Sequence, residues 1–166
     1  MNHRIIIITG GILAGIGLFG FIFRKKIMSM LNARSLSNLQ GVHPNLCKVM
    51  ETASATTPIP FTITSGVRTQ AQQQALYAKG RTTAGSIVTN ADGVTKKSNH
   101  QVKADGYAYA VDLFASPNGA VNVNDAASLK TIAAHIKSTA AKLGIAITWG
   151  GDFKSFIDYP HFELKT

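Results

Sequence analysis

The stretch from Ile5 to Phe23 carries no charged side chain, and it constrains this chain more than any other feature. As a helix rising ~1.5 Å per residue it reaches roughly 28 Å, close to the ~30 Å hydrocarbon core of a bilayer. Arg4 precedes it and Arg24-Lys25-Lys26 follow it. No small-residue cleavage site stands close behind, so residues 1–26 read as a retained membrane anchor rather than a removed leader. Gly10, Gly11, Gly15, Gly17 and Gly20 make the span only weakly hydrophobic. The basic cluster at its C-terminal end points the rest of the chain to the cytoplasmic side by the positive-inside rule.

Beyond the span, residues 27–40 read as a partly helical connector and residues 41–166 as one compact domain. Leu46, Val49, Met50 and Ala53 recur at helical spacing, predicting a helix from Pro44 to about Ala55. Pro58 and Pro60 end it. Phe61–Thr64 reads as a strand that turns out at Ser65-Gly66, and Thr69–Lys79 as a helix closed by Gly80. Residues 81–99 form a long polar loop, which in a small domain is usually functional or mobile. Tyr107–Phe114 reads as a strand. Asn124-Asp125 caps a helix whose Leu129, Ile132, Ala133, Ile136, Ala140 and Leu143 share one face. Residues 145–149 and 161–164 are the last two strands. The expected fold is α+β, a small mainly antiparallel sheet with flanking helices, preceded by an N-terminal transmembrane helix.

Charge narrows the partners. Lysine and arginine number 17 against 8 acidic residues, a net charge of +9. Such a chain gathers near polyanions. The basic residues are scattered and no nucleic-acid motif accompanies them, so nucleic acid is not an expected partner. The single cysteine, Cys47, excludes an intramolecular disulfide and a four-sulfur metal site. In its apolar helical setting it reads as a structural thiol, not a nucleophile.

Three residues could carry chemistry together. His100 stands at the end of the long loop. Asp112 is a charge inside the apolar run Ala110-Val111-Asp112-Leu113-Phe114, expensive to bury unless paired or bound to a metal. His161 follows Asp158 by one helical turn's worth of sequence. Two imidazoles and a carboxylate suit zinc and leave a fourth position for water, with Asp158 spare as a general base. Each residue also has a plainer reading: either histidine can be an ordinary hydrogen-bonded residue, and Asp112 can simply pair with Arg68.

Several ordered motifs tip the balance. Ser98-Asn99-His100, the run from Gly106 to Asp112 and Asp158-Tyr159-Pro160-His161 resemble the LAS-type zinc peptidases, which include VanY-like D-alanyl-D-alanine carboxypeptidases and phage L-alanyl-D-glutamate endopeptidases. Gly66-Val67-Arg68-Thr69, the glutamine-rich helix with Gln74 and Leu76, and Ile87-Val88-Thr89-Asn90 also match. The resemblance spans about residues 41–164. It implies zinc held by His100, Asp112 and His161, Asp158 as base, and Arg68 near the metal to hold an oxyanion or a substrate carboxylate. It further implies Ser98 binding substrate or orienting His100, with Trp149 and Asp152 shaping the cleft. Two departures stand out. Gln101–Asp105 is extra material, so Asp105 competes with Asp112 as ligand; and Asp158 replaces the glutamate of many members.

The implied function is hydrolysis of peptidoglycan stem peptides, foremost at the L-alanyl–D-glutamate bond in phage or prophage lysis or entry. A D,D- or L,D-carboxypeptidase and a non-catalytic wall-binding protein of the same fold are the alternatives. That substrate lies outside the cytoplasm, so the implied location is membrane-anchored with the domain on the cell-wall (periplasmic) side, or a virion membrane. The glycine-rich span also resembles the signal-arrest-release segments of some phage lysins.

Overall fold

A computed structural model describes residues 31–165. Helix α1 is Ala33–Asn38, α2 Pro44–Ser54, β1 Phe61–Ser65, α3 Gln70–Ala78, β2 Ala110–Ala115, α4 Ala126–Lys142, β3 Ile147–Trp149 and β4 His161–Leu164, with a 3₁₀ turn at Gly150–Asp152 between β3 and β4. The strands form one sheet in the order β1-β2-β4-β3, antiparallel at every pairing.

Alternation along the strands sorts the two faces of the sheet. Val111 and Leu113 of β2, with Phe162 and Leu164 of β4, point into the core. Leu46, Val49, Met50 and Ala53 of α2 and Leu129, Ile132, Ala133, Ile136 and Ala140 of α4 cover that face. At about 25 cal/mol per Å² this burial is the main term holding the domain together. Asp112, Phe114, His161 and Glu163 point to the other face, which borders a cleft.

The helix ends follow local chemistry. Thr69 caps α3 in a capping box with Gln72, and Asp125 caps α4 by accepting from the Ser128 amide at 2.9 Å. His43 caps α2, its Nδ1 accepting from the Asn45 amide at 3.1 Å, which makes it structural. Cys47 points at the Leu39 and Val42 carbonyls. Burial and then the neighbouring Glu51 charge push its thiol up to about 11, which fits a structural thiol.

Several sequence expectations are corrected here. Among the described residues no helix is long and apolar enough to cross a membrane. The transmembrane helix expected over residues 5–23 lies outside the described residues, and the fold of the described residues is an α+β domain. The longest described helix, α4, is amphipathic and carries Lys130, Lys137 and Lys142. The segment read as a connector also joins the core: Leu31 and Leu39 are buried. Helix α1 covers the outer edge of β1, where Ser35 Oγ accepts from the Ile63 amide at 3.0 Å and Asn38 Nδ2 donates to the Ile63 carbonyl at 2.8 Å. Those side chains occupy backbone groups that a bare edge strand leaves open.

Strand β2 begins at Ala110, not Tyr107, because the preceding residues bond elsewhere. Ala108 bridges Val42, and the Tyr109 amide donates to the Asn99 carbonyl at 2.7 Å. The strand expected from Ile145 starts at Ile147, since the Ile145 amide closes α4 on the Ala140 carbonyl. In the β1–β2 pair, Ile63 faces Leu113 but Ser65 faces Asp112, so Thr64 is an extra residue in a bulge beside Asp112.

Candidate metal centre

Register brings the first two donors together: Asp112 of β2 and His161 of β4 are direct cross-strand partners. His100 arrives from the loop before β2. His100 Nε2 and His161 Nδ1 each lie 3.2 Å from Asp112 Oδ1, and 3.3 Å from each other. One ligand atom from each residue falls within 4.8 Å of the others, so the three form a group that could hold a metal ion. His100 is 1% exposed and His161 8%.

The outer nitrogen of each ring is already occupied. His100 Nδ1 donates to the Gly66 carbonyl at 2.7 Å, and the His100 carbonyl accepts from the Arg68 amide at 2.8 Å. Gly66 has to be glycine, because a Cβ there meets the Asn38 carbonyl oxygen at 1.7 Å. His161 Nε2 donates to Glu163 Oε2 at 2.9 Å, and Asn99 Nδ2 steadies that carboxylate at 2.8 Å. Each imidazole therefore turns its remaining nitrogen toward Asp112, the arrangement that fixes tautomer and ring orientation in metal sites. The donor set fits a cation.

The electrostatics agree. Burial works to raise the Asp112 carboxyl, but the charge and hydrogen bond of His100, the hydrogen bond of His161 and the Arg68 charge hold it well below the usual carboxylate range. Burial disfavours a charged His161, but hydrogen bonds to Asp112 and Glu163 outweigh it and push this imidazole up to about 9. A cation held at Nδ1 would take the place of a proton there. Asp158 is shifted the other way: burial first, then the Asp112 charge, raises its carboxyl. Gly150 allows its close approach, since a Cβ there meets the Asp158 carbonyl oxygen at 2.2 Å.

These residues sit at a cleft of about 620 Å³. Arg68 and Asp158 line it with the three donors. Arg68 pairs with Asp112 Oδ2 at 2.5 Å, and its terminal nitrogens also donate to Ser65 Oγ and Gln73 Oε1, both at 3.1 Å. Arg68 thus makes the plain pairing while lining the same cleft as the three donors. Ser98 is not among the residues that line the cleft; its Oγ accepts from the His100 amide at 3.3 Å. Trp149 does not line it either. Its Nε1 donates to the Tyr159 carbonyl at 2.8 Å and its ring stacks on Phe162, which braces the chain leading into His161. Asp152 pairs with Lys137 at 2.6 Å, away from the donors. Asp105 bonds the Tyr109 hydroxyl at 2.7 Å, so Asp112 is the carboxylate in the cluster. His135 bonds Thr56 and the Ala53 carbonyl.

The supporting roles of two residues were not read from the sequence. Glu163 was legible in principle, because residues two apart on a strand share a face and so Glu163 must accompany His161. Gln73 was not. It is fully buried; its Oε1 accepts from Arg68, while Nε2 donates to Thr89 Oγ1 at 3.2 Å and to the Ala91 carbonyl at 2.9 Å. It ties Arg68 to the loop that forms one wall of the cleft. Gln73→Met keeps the volume and strands these partners, so urea denaturation is expected to show a loss of about 2 kcal/mol. An unchanged midpoint and slope exclude that role.

A description of the phage L-alanyl-D-glutamate peptidases matches residues 28–165. The chain belongs to this family. It is 30% identical over 136 residues to the peptidoglycan L-alanyl-D-glutamate endopeptidase CwlK of Bacillus subtilis, covering 77% of this chain and 74% of that one. It is also 30% identical over 131 residues to the L-alanyl-D-glutamate peptidase of Escherichia phage T5, covering 79% and 85%. The crystal structure of the Serratia marcescens L-Ala D-Glu endopeptidase ChiX superposes with a TM-score of 0.61 at 30% identity, covering 80% of this chain and 87% of that one. Membership in this family agrees with the resemblance carried by the Ser98–His100, Gly106–Asp112 and Asp158–His161 segments.

Proposed function

We propose that this protein is a zinc-dependent endopeptidase that cuts the L-alanyl–D-glutamate bond of peptidoglycan stem peptides. The observation that carries the reading is the convergence of His100 Nε2, Asp112 Oδ1 and His161 Nδ1 at a cleft, in a chain of the L-alanyl-D-glutamate peptidase family. Two imidazoles and one carboxylate suit zinc and leave a position open, the pattern of catalytic rather than structural sites. Zinc bound there supplies Lewis acidity, polarising the scissile carbonyl and lowering the pKa of water towards ~7.

The rest of the chemistry belongs to the chain. Asp158 takes a proton from the attacking water at its carboxylate and returns it to the leaving amine nitrogen. Its raised pKa suits a group that holds a proton between these two events. Arg68 keeps Asp112 ionised and adds positive charge where the carbonyl oxygen gains negative charge. Glu163 and Gly66 hold the two rings in place.

Digestion of purified peptidoglycan tests this directly. The expected products carry a new alanine carboxyl terminus and a new glutamate amino terminus by mass spectrometry. A chelator is expected to stop the reaction and added zinc to restore it. Release of single terminal residues instead makes the protein a carboxypeptidase, and chelator-resistant cleavage removes the metal from the mechanism.

A further inference from the structure

Three lysines at the cleft, Lys96, Lys97 and Lys154, are held in no ion pair among the described residues, although the Asp92 carboxylate lies near Lys96. Lys96 and Lys97 come from the loop after α3, and Lys154 from the segment joining β3 to β4. Those two segments follow from opposite ends of the sheet order, while the metal ligands Asp112 and His161 lie on its two central strands. All three lysines are exposed. Among the described residues none makes an ion pair, in contrast to Lys137, which holds Asp152.

Lys96 and Lys97 are carried on a built turn. Asp92 Oδ1 accepts from the Val94 amide at 2.7 Å and the Lys96 amide at 2.9 Å, and the Gly93 amide donates to the Lys96 carbonyl at 3.1 Å. Gln101 Nε2 anchors the turn from inside by donating to the Gly93 carbonyl at 2.9 Å. The acidic groups of the cleft, Asp112, Asp158 and Glu163, belong to the metal centre. An acidic centre with a basic surround selects a ligand whose reacting amide is neutral and whose nearby groups are anionic.

Arg68 is poorly placed to be that partner, because both its terminal nitrogens already serve Asp112, Ser65 and Gln73. The substrate chemistry, on the reading of the preceding subsection, completes the case. A glutamate that gives its amine to the scissile bond and one carboxyl to the continuing peptide keeps its other carboxyl free, a few bonds from the reacting carbonyl. We propose that Lys96, Lys97 and Lys154 form a carboxylate-binding subsite that selects stem peptides whose glutamate carboxyl is free over those in which it is amidated.

The test uses the full-length zinc-loaded protein and two synthetic stem peptides that differ only there, one with the free carboxyl and one with the carboxamide. The wild-type protein is expected to prefer the acid about tenfold in kcat/KM, mostly through KM, and to lose the preference as salt rises. The K96Q/K97Q/K154Q variant is expected to treat the two peptides alike, while K96R/K97R/K154R keeps the preference. Zinc content measured on each variant checks that the centre is intact. Equal cleavage of both peptides by the wild-type protein overturns the subsite alone, as does a preference that survives in the glutamine variant. Cleavage of neither peptide overturns the endopeptidase reading and the subsite with it.

Discussion

Replacing His100 or His161 with alanine is expected to abolish peptidoglycan cleavage and to reduce bound zinc from one ion per chain to a small fraction of that. Each histidine supplies one of three ligand atoms that meet within 4.8 Å, and among the described residues the group contains no third imidazole. Losing only an outer partner of a metal ligand typically costs 10–100-fold in metal affinity or activity, so losing a ligand itself should cost well beyond ~100-fold. The contrast is useful. Glu163→Gln removes the charge behind His161 Nε2 but leaves all three ligand atoms, and it should fall within that smaller ~10–100-fold range. Metal analysis with activity on the same preparations separates the cases. Undiminished zinc in both alanine variants sinks the assignment of these ligands.

Asp158→Asn is expected to lower kcat by about 10²–10⁴-fold while zinc stays bound. The substitution keeps size and position and removes only the ability to take a proton. Asp158 lines the cleft with His100, Asp112 and His161, and its carboxyl is raised by burial and by Asp112. Its neighbours in the chain hold it there: its amide donates to the Gly150 carbonyl at 3.0 Å and its carbonyl accepts from the His161 amide at 3.1 Å. That anchoring bears on the shorter side chain, since a backbone held against Gly150 can make up the methylene that aspartate lacks beside glutamate. Near-normal turnover in the variant moves the base elsewhere. Loss of zinc along with activity would falsify the division of labour between Asp158 and the ligands.

Where interactions are local, the sequence was readable. The apolar stripes of α2 and α4 and the cap of α4 at Asp125 follow from contacts within a few residues, so the local pattern reveals them. The errors sit where a distant segment competes for a backbone. Tyr107–Tyr109 looks like strand, but the Ala108 backbone bonds Val42's neighbours Gly41 and His43 and the Tyr109 amide bonds Asn99. Residues 33–38 look like part of a connector but spend Ser35 and Asn38 on the edge of β1.

The same division runs through the candidate metal centre. By itself the sequence determined the residue types: two histidines, a carboxylate stranded in an apolar strand, and motifs that match a peptidase family. Their order along the chain was enough for that, because a buried charge needs a partner wherever the fold puts it. Only the tertiary structure decided which groups serve which. It set Asp112 against His161 by strand register and sent Asp105 out to Tyr109. It turned Trp149 onto Phe162 rather than the cleft, and joined Gln73 to Arg68 and to the loop at Thr89 and Ala91. The reason is physical: a ligand's identity is a property of one residue, whereas its neighbours at 3 Å depend on cross-strand register and loop packing, which arise between segments far apart in the chain.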